Sequence, residues 1–177
     1  MSAEIPTLPA TFSSFVRHGS YFLRPEGDAL MISSEPGGEV RFYLRRRESG
    51  FTLDRAERSE DERLIMWSTS TEEIEKYLIV AIGEDVRTAL GLGMLDGPTN
   101  ASQLRDGLHV TQIADGTFAI QRADGSLTPG RFLHAGIAAP IYDYATTVGH
   151  SPQSLCDAYL TPDGAPLFTL WQPPHSG

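Results

Sequence analysis

A single cysteine, Cys156, and a single lysine, Lys76, occur among the 177 residues of the chain. One cysteine cannot form a disulfide within the chain, so a reducing compartment is the default expectation. No stretch approaches the roughly 20 apolar residues that a membrane helix needs. The N-terminus, MSAEIPTLPATF, lacks the basic start and apolar run of a secretion signal. These absences predict a soluble, cytoplasmic protein.

Positive charge is scarce as well. The chain has 14 lysine and arginine residues against 23 aspartate and glutamate residues, a formal net charge of −9 at pH 7. This excess of negative charge argues against binding to nucleic acid or to an anionic membrane, and it favours a basic partner. The one basic cluster, Arg45-Arg46-Arg47, is too short and too isolated for a nucleic-acid footprint.

The usual signatures of catalysis and metal binding are also missing. There is no HExxH or CxxC motif, no serine lies within GxSxG, and the five histidines do not have ligand spacing. Cys156 lies near the apolar face of a predicted helix, where a free cysteine is most often a small buried hydrophobe. We therefore expect a protein that is not an enzyme, with no metal and no cofactor.

What the sequence does contain is a pattern of short strands and turns. Strands are predicted at 21–24, 29–33 and 39–46, separated by turn signals at 25–28 and 35–38, and a meander continues at 51–53 and 64–68. In the strand 39–46 the residues alternate, with Val40, Phe42 and Leu44 on one face, as in a half-buried strand. Asp115-Gly116 predicts a hairpin that joins strands 108–113 and 117–122. A last strand is predicted at 166–171.

Two helices frame this pattern, at 11–18 and at 151–160, and the second has Ser151 at its cap and Pro152 in its first turn. Residues 131–148 are ambiguous between strand and helix. We predict one α+β domain over residues 1–177, mainly an antiparallel β-sheet meander with two or three helices. If this domain has two subdomains, the boundary between them is expected near residue 69 or residue 100.

The strongest helix signal begins at Ser70 and runs to about Ile82. Ser70 and Glu73 have the spacing of a capping box, and apolar residues recur at the spacing of one buried helix face. Gly83 is a natural stop, and a second short helical turn is predicted at 84–90.

The segment after this helix is a loop that is both glycine-rich and apolar. It consists of Gly91, Leu92, Gly93, Met94, Leu95, Asp96 and Gly97. Because soluble loops usually carry polar residues, an apolar loop either packs against another segment of the protein or binds a partner. A purely structural loop is one interpretation. Partner binding by Gly91–Gly97 is the other, with the acidic segment 57–75 steering a basic partner towards it.

A nucleotide-binding enzyme is the main alternative. Gly91, Gly93 and Gly97 form GxGxxxG, which is one residue longer than the dinucleotide fingerprint and follows a helix where that motif follows a strand. In this alternative the loop would hold a phosphate, and His134, Asp143 or His150 would carry the chemistry.

The order of these features resembles a known family. The helix EIEKYLIVAIGEDVR runs into GLGMLDG, and near the end SLCDAYLTPDGAPLF combines a helix, a PDG turn and a strand. Together they resemble an immunity-protein family of bacterial polymorphic toxin systems, which includes the antitoxin of the tuberculosis necrotizing toxin. The resemblance extends from about residue 40 onward.

The resemblance implies a non-catalytic inhibitor. The toxin of that family member is an NAD⁺ glycohydrolase, and its antitoxin binds it in the cytosol and blocks the substrate site. By the same resemblance the partner of this chain would be the catalytic domain of a cognate toxin in a 1:1 complex, and Gly91–Gly97 would insert into its cleft. A general protein-binding module, such as a secretion chaperone, is the remaining alternative.

Overall fold

Five strands that follow one another along the chain form the main sheet. The computed structural model describes residues 4–34 and 39–172, and the predicted turn at 35–38 lies outside them. Each strand pairs antiparallel with the next, in the order β1-β2-β3-β4-β5. The strands are β1 (Phe22–Glu26), β2 (Ala29–Ser33), β3 (Val40–Arg47), β4 (Gly50–Glu57) and β5 (Arg63–Ser68).

The described chain outside this sheet contains the helices of the fold. Its four α-helices are α1 (Ala10–Arg17), α2 (Thr71–Ala89), α3 (Pro140–Thr146) and α4 (Pro152–Leu160). A short 3₁₀ turn (Ala101–Gln103) and a two-stranded hairpin, β6 (His109–Gln112) with β7 (Phe118–Gln121), lie between α2 and α3. None of the helices in residues 4–34 and 39–172 combines the length and the apolar character needed to cross a membrane.

The predicted α+β fold with an antiparallel meander is confirmed. The hairpin at Asp115-Gly116 forms, and α4 begins as its sequence indicates, since Ser151 accepts a hydrogen bond from the backbone N–H of Ser154. The ambiguous segment 131–148 contains α3, which brings the number of helices to four.

One face of the sheet forms the main core. The alternation in β3 places Phe42 and Leu44 on this face, where Phe42 lies opposite Ile32 of β2 and Leu44 opposite Leu53 of β4. All four side chains belong to one buried cluster that also includes the apolar residues of α1, α2, α3 and α4. The main core therefore lies between the sheet and the helices, and it fixes the position of α2.

α2 is one continuous helix, so the predicted stop at Gly83 and the separate turn at 84–90 are wrong. Gly83 is buried, and a β-carbon added there would lie 2.2 Å from the ring of Tyr159 in α4. The glycine thus permits α2 and α4 to pack closely. The predicted capping box is also wrong, because the side chain of Ser70 makes no cap hydrogen bond and Glu73 accepts a hydrogen bond from Lys76.

The close approach of α2 and α4 leads to a testable expectation for Gly83→Ala. This substitution should lower the free energy of unfolding by about 2 kcal/mol, because the added methyl group overpacks the contact with Tyr159 and outweighs the better helix propensity of alanine. Urea unfolding measures the effect. Gly97→Ala is the matched control, since nothing lies within 4 Å of a β-carbon added at Gly97. Equal unfolding midpoints for the two variants would contradict the expectation.

A buried carboxyl group lies in the first turns of α2. Glu75 is only 3% exposed, and this burial, together with the nearby charge of Glu72, raises the pKa of its carboxyl group to about 7. An unfolded chain returns the group to its ordinary value of 4.5. Between pH 4.5 and about pH 7 the Glu75 carboxyl group is therefore more fully protonated in the folded protein than in the unfolded chain.

This difference makes the stability depend on pH in a stated direction. As pH rises from about 5 to about 8, the unfolded chain loses the proton first, so the free energy of unfolding should fall by about 2 kcal/mol through Glu75 alone. Glu75→Gln removes this contribution. Urea unfolding of both proteins at several pH values measures it, and parallel pH profiles for the two proteins would show that Glu75 is not responsible.

Candidate partner-binding surface

Backbone hydrogen bonds before and after Leu95 hold the loop 91–97 against the C-terminal segment of the described chain. The backbone N–H of Asp96 donates to the carbonyl oxygen of Thr169 at 2.8 Å, and the N–H of Trp171 donates to that of Met94 at 2.9 Å. Between them, Leu95 and Leu170 form an isolated antiparallel bridge. The predicted last strand at 166–171 is therefore reduced to this bridge. The flexibility suggested by the loop glycines is restrained by these backbone contacts.

Arg87 ties the same loop to the end of α4. Its side chain is completely buried, and its Nε donates to the carbonyl oxygen of Gly93 at 2.6 Å. Nη1 donates to the carbonyl oxygens of Tyr159 and Thr161, and Nη2 donates to that of Pro162 at 2.8 Å. Four backbone carbonyls at the ends of two segments thus share one guanidinium group, which fits the fixed fork of donors that arginine presents.

Two further contacts fix Leu95. Its backbone N–H donates to Glu84 Oε1 at 3.1 Å, and its side chain lies over Gly164, where an added β-carbon would be 2.5 Å from Leu95 Cδ2. Gly164 has φ +74°, a conformation that favours glycine. Leu95 therefore points into the protein and supports the loop.

The residues of the predicted binding loop differ in how far they reach solvent. Gly91, Gly93, Asp96 and Gly97 are exposed, and Leu92 and Leu95 are half-buried. Met94 is 57% exposed, and its neighbours across the loop, Leu170 and Trp171, are 42% and 49% exposed. We call Met94, Leu170 and Trp171 the Met94 patch. The sequence indicated Met94 but not Leu170 and Trp171, because their proximity depends on the bridge between two distant segments.

Aromatic residues and methionine are enriched in the buried centres of protein interfaces. Leu90, which caps the C-terminal end of α2 just before the loop, is also 42% exposed. An apolar patch that is held rigidly and left open to solvent is typical of a surface that meets another protein. The arrangement also reduces the conformational entropy that binding would cost, since its backbone is already ordered.

The negative charge of the protein is not distributed as the sequence suggested. Within the predicted steering segment most carboxylates form ion pairs with neighbouring cations: Glu57 with Arg55, Glu60 with Arg63, Glu62 with Arg45, and Glu72 and Glu73 with the shared Lys76. By contrast, residues 84–172 hold nine of the acidic residues and only four arginines. No ion pair forms within that fully described stretch. Most of the carboxylates without an ion pair among the described residues therefore lie in the half of the chain that carries the Met94 patch.

Two of these carboxylates lie close to the patch. Asp96 is part of the loop, and Asp163 belongs to the turn that packs under Leu95 through Gly164; both are exposed. An apolar centre with an acidic rim fits a partner with an apolar depression surrounded by basic residues.

The residues of the enzyme alternative are not assembled into one site. His150 lies 3.1 Å from Arg105 Nη1 and lines a cleft of about 280 Å³ next to Asp96, but neither His134 nor Asp143 lines that cleft. Its volume is slightly below the roughly 300–1,000 Å³ of ordinary ligand sites. No group of three or more metal-ligating side chains occurs in residues 4–34 and 39–172.

Cys156 is likewise placed as a packing residue. It is 4% exposed, and burial raises the pKa of its thiol to about 12. The thiolate is the nucleophilic form of cysteine, so a buried thiol with this pKa is unreactive near pH 7.

Comparison with known proteins identifies the family to which the chain belongs. Residues 15–167 match the family described as Immunity protein 61. The match covers most of the chain, and the protein belongs to this family.

Two relatives and one solved structure are similar to the chain. The immunity factor for TNT of Mycobacterium tuberculosis is 27% identical over 145 residues, which cover 82% of this chain and 81% of that protein. Its homologue in Mycobacterium bovis matches to the same extent. The structure of Rv3902c from M. tuberculosis superposes with a TM-score of 0.76 at 20% identity, over 93% of this chain and 95% of that one. At that identity the likeness shows the shared fold.

Proposed function

We propose that this protein is a non-catalytic antitoxin that binds the catalytic domain of a cognate NAD⁺ glycohydrolase toxin 1:1 in the cytosol. Membership of an immunity-protein family and the similarity to the immunity factor for TNT support an antitoxin role. The enzymatic activity assigned to the toxin follows from the resemblance described above, in which the toxin partner hydrolyses NAD⁺.

The Met94 patch is the surface that would cover the substrate cleft of the toxin. This assignment is carried by one observation: Met94 is exposed on a loop whose backbone is hydrogen-bonded to residues 169 and 171. A short, rigid projection enters a cleft with little loss of conformational entropy. Because the loop backbone is held by hydrogen bonds, Met94 would insert into the toxin cleft, whereas Leu95 packs inside this protein and supports the loop.

The acidic surface around the patch would guide association. Carboxylates such as Asp96 and Asp163, which form no ion pair among the described residues, attract a basic toxin surface and raise the association rate, an effect that salt screens. Cationic groups are a chemically reasonable feature of a site that binds the phosphates of NAD⁺.

Titration of the purified protein into an NAD⁺ hydrolysis assay of the cognate toxin tests the proposal. We expect turnover to fall in proportion to added protein and to vanish near one equivalent. An immunity protein of an unrelated family serves as the control. Unaffected turnover at stoichiometric excess would reject the proposal, and binding without loss of turnover would favour the secretion-chaperone alternative.

A further inference from the structure

A second cleft lies at the opposite end of α2 from the Met94 patch. It has a volume of roughly 640 Å³ and is formed by residues 7–11 at the start of α1, by the first turns of α2, and by residues 151–153 at the start of α4. Glu75 lines this cleft, and we call it the Glu75 cleft.

The carboxyl group of Glu75 lacks a hydrogen-bond partner. The residue is 97% buried, and no described residue donates a hydrogen bond to its carboxyl oxygens. The neighbouring Lys76 is occupied, since its Nζ lies 2.9 Å from both Glu72 and Glu73. The Glu75 oxygens are not among the buried polar atoms of the described residues that lack a partner, so the carboxyl group reaches solvent through the cleft and is accessible to a ligand.

The helix ends around the cleft explain only part of this arrangement. The first turns of α1, α2 and α4 all border the cleft, and the positive ends of their dipoles favour a carboxylate. These ends make the charge tolerable, but they donate no hydrogen bond to Glu75. A ligand in the cleft would interact with the open carboxyl group through donors, and a positively charged donor interacts best with a carboxylate.

The walls of the cleft indicate what shape this donor has. Leu8, Pro9 and Pro152 provide apolar surface, while hydroxyl groups such as those of Thr11 and Thr71 border the same space. An arginine or lysine side chain matches both features, with an apolar stem and a cationic tip. A metal ion matches neither, and no group of three metal-ligating side chains forms among the described residues.

We propose that the Glu75 cleft receives a basic side chain of the toxin, with its cationic group hydrogen-bonded to Glu75 and its alkyl stem against Pro9 and Pro152. The identity of the partner rests on the proposed function. Counted along α2 at 1.5 Å per residue, Glu75 lies about 21 Å from the loop-proximal end of the helix. The proposal therefore adds a second contact, remote from the Met94 patch.

Glu75→Gln tests the contact because it keeps the shape of the side chain and removes its charge. We expect the affinity for the toxin to fall by roughly 30-fold or more, as measured by calorimetry or competition. Glu48→Gln removes a charge from an exposed turn and is the matched control. Equal affinities of wild-type protein and Glu75→Gln would overturn the proposal, and so would an equal loss in the two variants.

The pH dependence of binding gives a second readout. A cation binds the ionised carboxyl group, so the affinity of the wild-type protein should rise by roughly tenfold between pH 6 and pH 8. The titratable and charged groups around Glu75 are Glu72 and Lys76 on α2 and Cys156 on α4, and the segment 7–11 contributes none. His150, beside the cleft residue Ser151, has its pKa lowered by burial and by Arg105, and Glu75→Gln leaves its titration in place. Loss of the pH dependence in Glu75→Gln supports the proposal, and its persistence contradicts it.

A small probe tests the cleft without the toxin. N-acetyl-arginine amide should shift the NMR signals of residues around Glu75 in the wild-type protein but not in Glu75→Gln, and N-acetyl-citrulline amide, which is neutral and similar in shape, should shift neither. If the protein fails to inhibit the toxin but shows this pattern, the proposed function fails and the cleft remains a cation site. Absence of any response to the arginine probe, together with an unchanged toxin affinity in Glu75→Gln, would overturn the assignment of the Glu75 cleft as a cation site.

Discussion

Replacing Arg87 with methionine is expected to lower the free energy of unfolding by about 4 kcal/mol. Methionine fills a similar volume but donates no hydrogen bonds, so four backbone carbonyls lose their shared donor, and each buried group left without a partner costs about 1–3 kcal/mol. Because the total stability of a domain is about 5–15 kcal/mol, this loss brings the protein close to unfolding at ordinary temperature.

Two further variants make the measurement specific. Arg87→Lys keeps the positive charge but lacks the planar fork, so it should recover only a minor part of the stability. Arg17→Met removes an exposed arginine from the last turn of α1, and it should change the stability by less than about 0.5 kcal/mol. Urea unfolding followed by circular dichroism measures all three. A stability of Arg87→Met close to that of Arg17→Met would contradict the role assigned to Arg87.

Met94→Asp and Trp171→Ala are each expected to weaken toxin binding by more than about 2 kcal/mol. In the proposed complex both side chains are buried, the first substitution places a charge in an apolar contact, and the second removes an aromatic anchor of the kind that dominates interface energies. Neither residue is buried in the free protein, so the fold should tolerate both changes. Calorimetric titration with the toxin measures the affinity.

Phe22→Asp is the matched control for Met94→Asp. Phe22 is 54% exposed, against 57% for Met94, and it lies on the edge strand β1, away from the loop. Phe22→Asp should leave the affinity for the toxin unchanged. Substitution of Leu95 by a charged residue should also weaken binding, but through the loop backbone, because Leu95 packs over Gly164. Full affinity in both Met94→Asp and Trp171→Ala would move the toxin contact to another surface.

The variants of Arg87 and of the Met94 patch separate two roles. Arg87 anchors the loop, and the Met94 patch is what the loop presents. If Arg87→Met lowers stability but retains toxin affinity under folding conditions, the loop keeps its conformation through its remaining contacts, the backbone hydrogen bonds of Asp96 and Trp171 and the contacts of Leu95. If both properties decline together, the buried guanidinium group is needed to present the patch.

Signals confined to a few residues predicted much of the fold. The Asp115-Gly116 turn and the alternation in β3 placed the hairpin and a central strand correctly, because turn geometry and strand pleat depend on adjacent residues. Ser151 and Pro152 predicted the start of α4 for the same reason. The same local reasoning was wrong for Gly83, whose role depends on Tyr159, a residue 76 positions further along the chain.

The candidate surface depended on contacts that no local pattern contains. The glycine-rich loop was visible in the sequence, but Trp171 joins Met94 only because a backbone hydrogen bond connects segments that are 77 residues apart. The guanidinium group of Arg87 reaches the carbonyl of Pro162, 75 positions away. In the sequence, Arg87 was one arginine in the last turn of a helix.

By itself the sequence determined the antiparallel meander, the hairpin, the start of α4, and a net charge of −9, since each depends on composition or on neighbouring residues. The tertiary structure decided that Leu95 faces inward while Met94 faces solvent, which carboxylates remain unpaired, and that Glu75 lies buried in a cleft. Burial and pairing are properties of residues brought together from distant positions, and they exist only once the chain has folded.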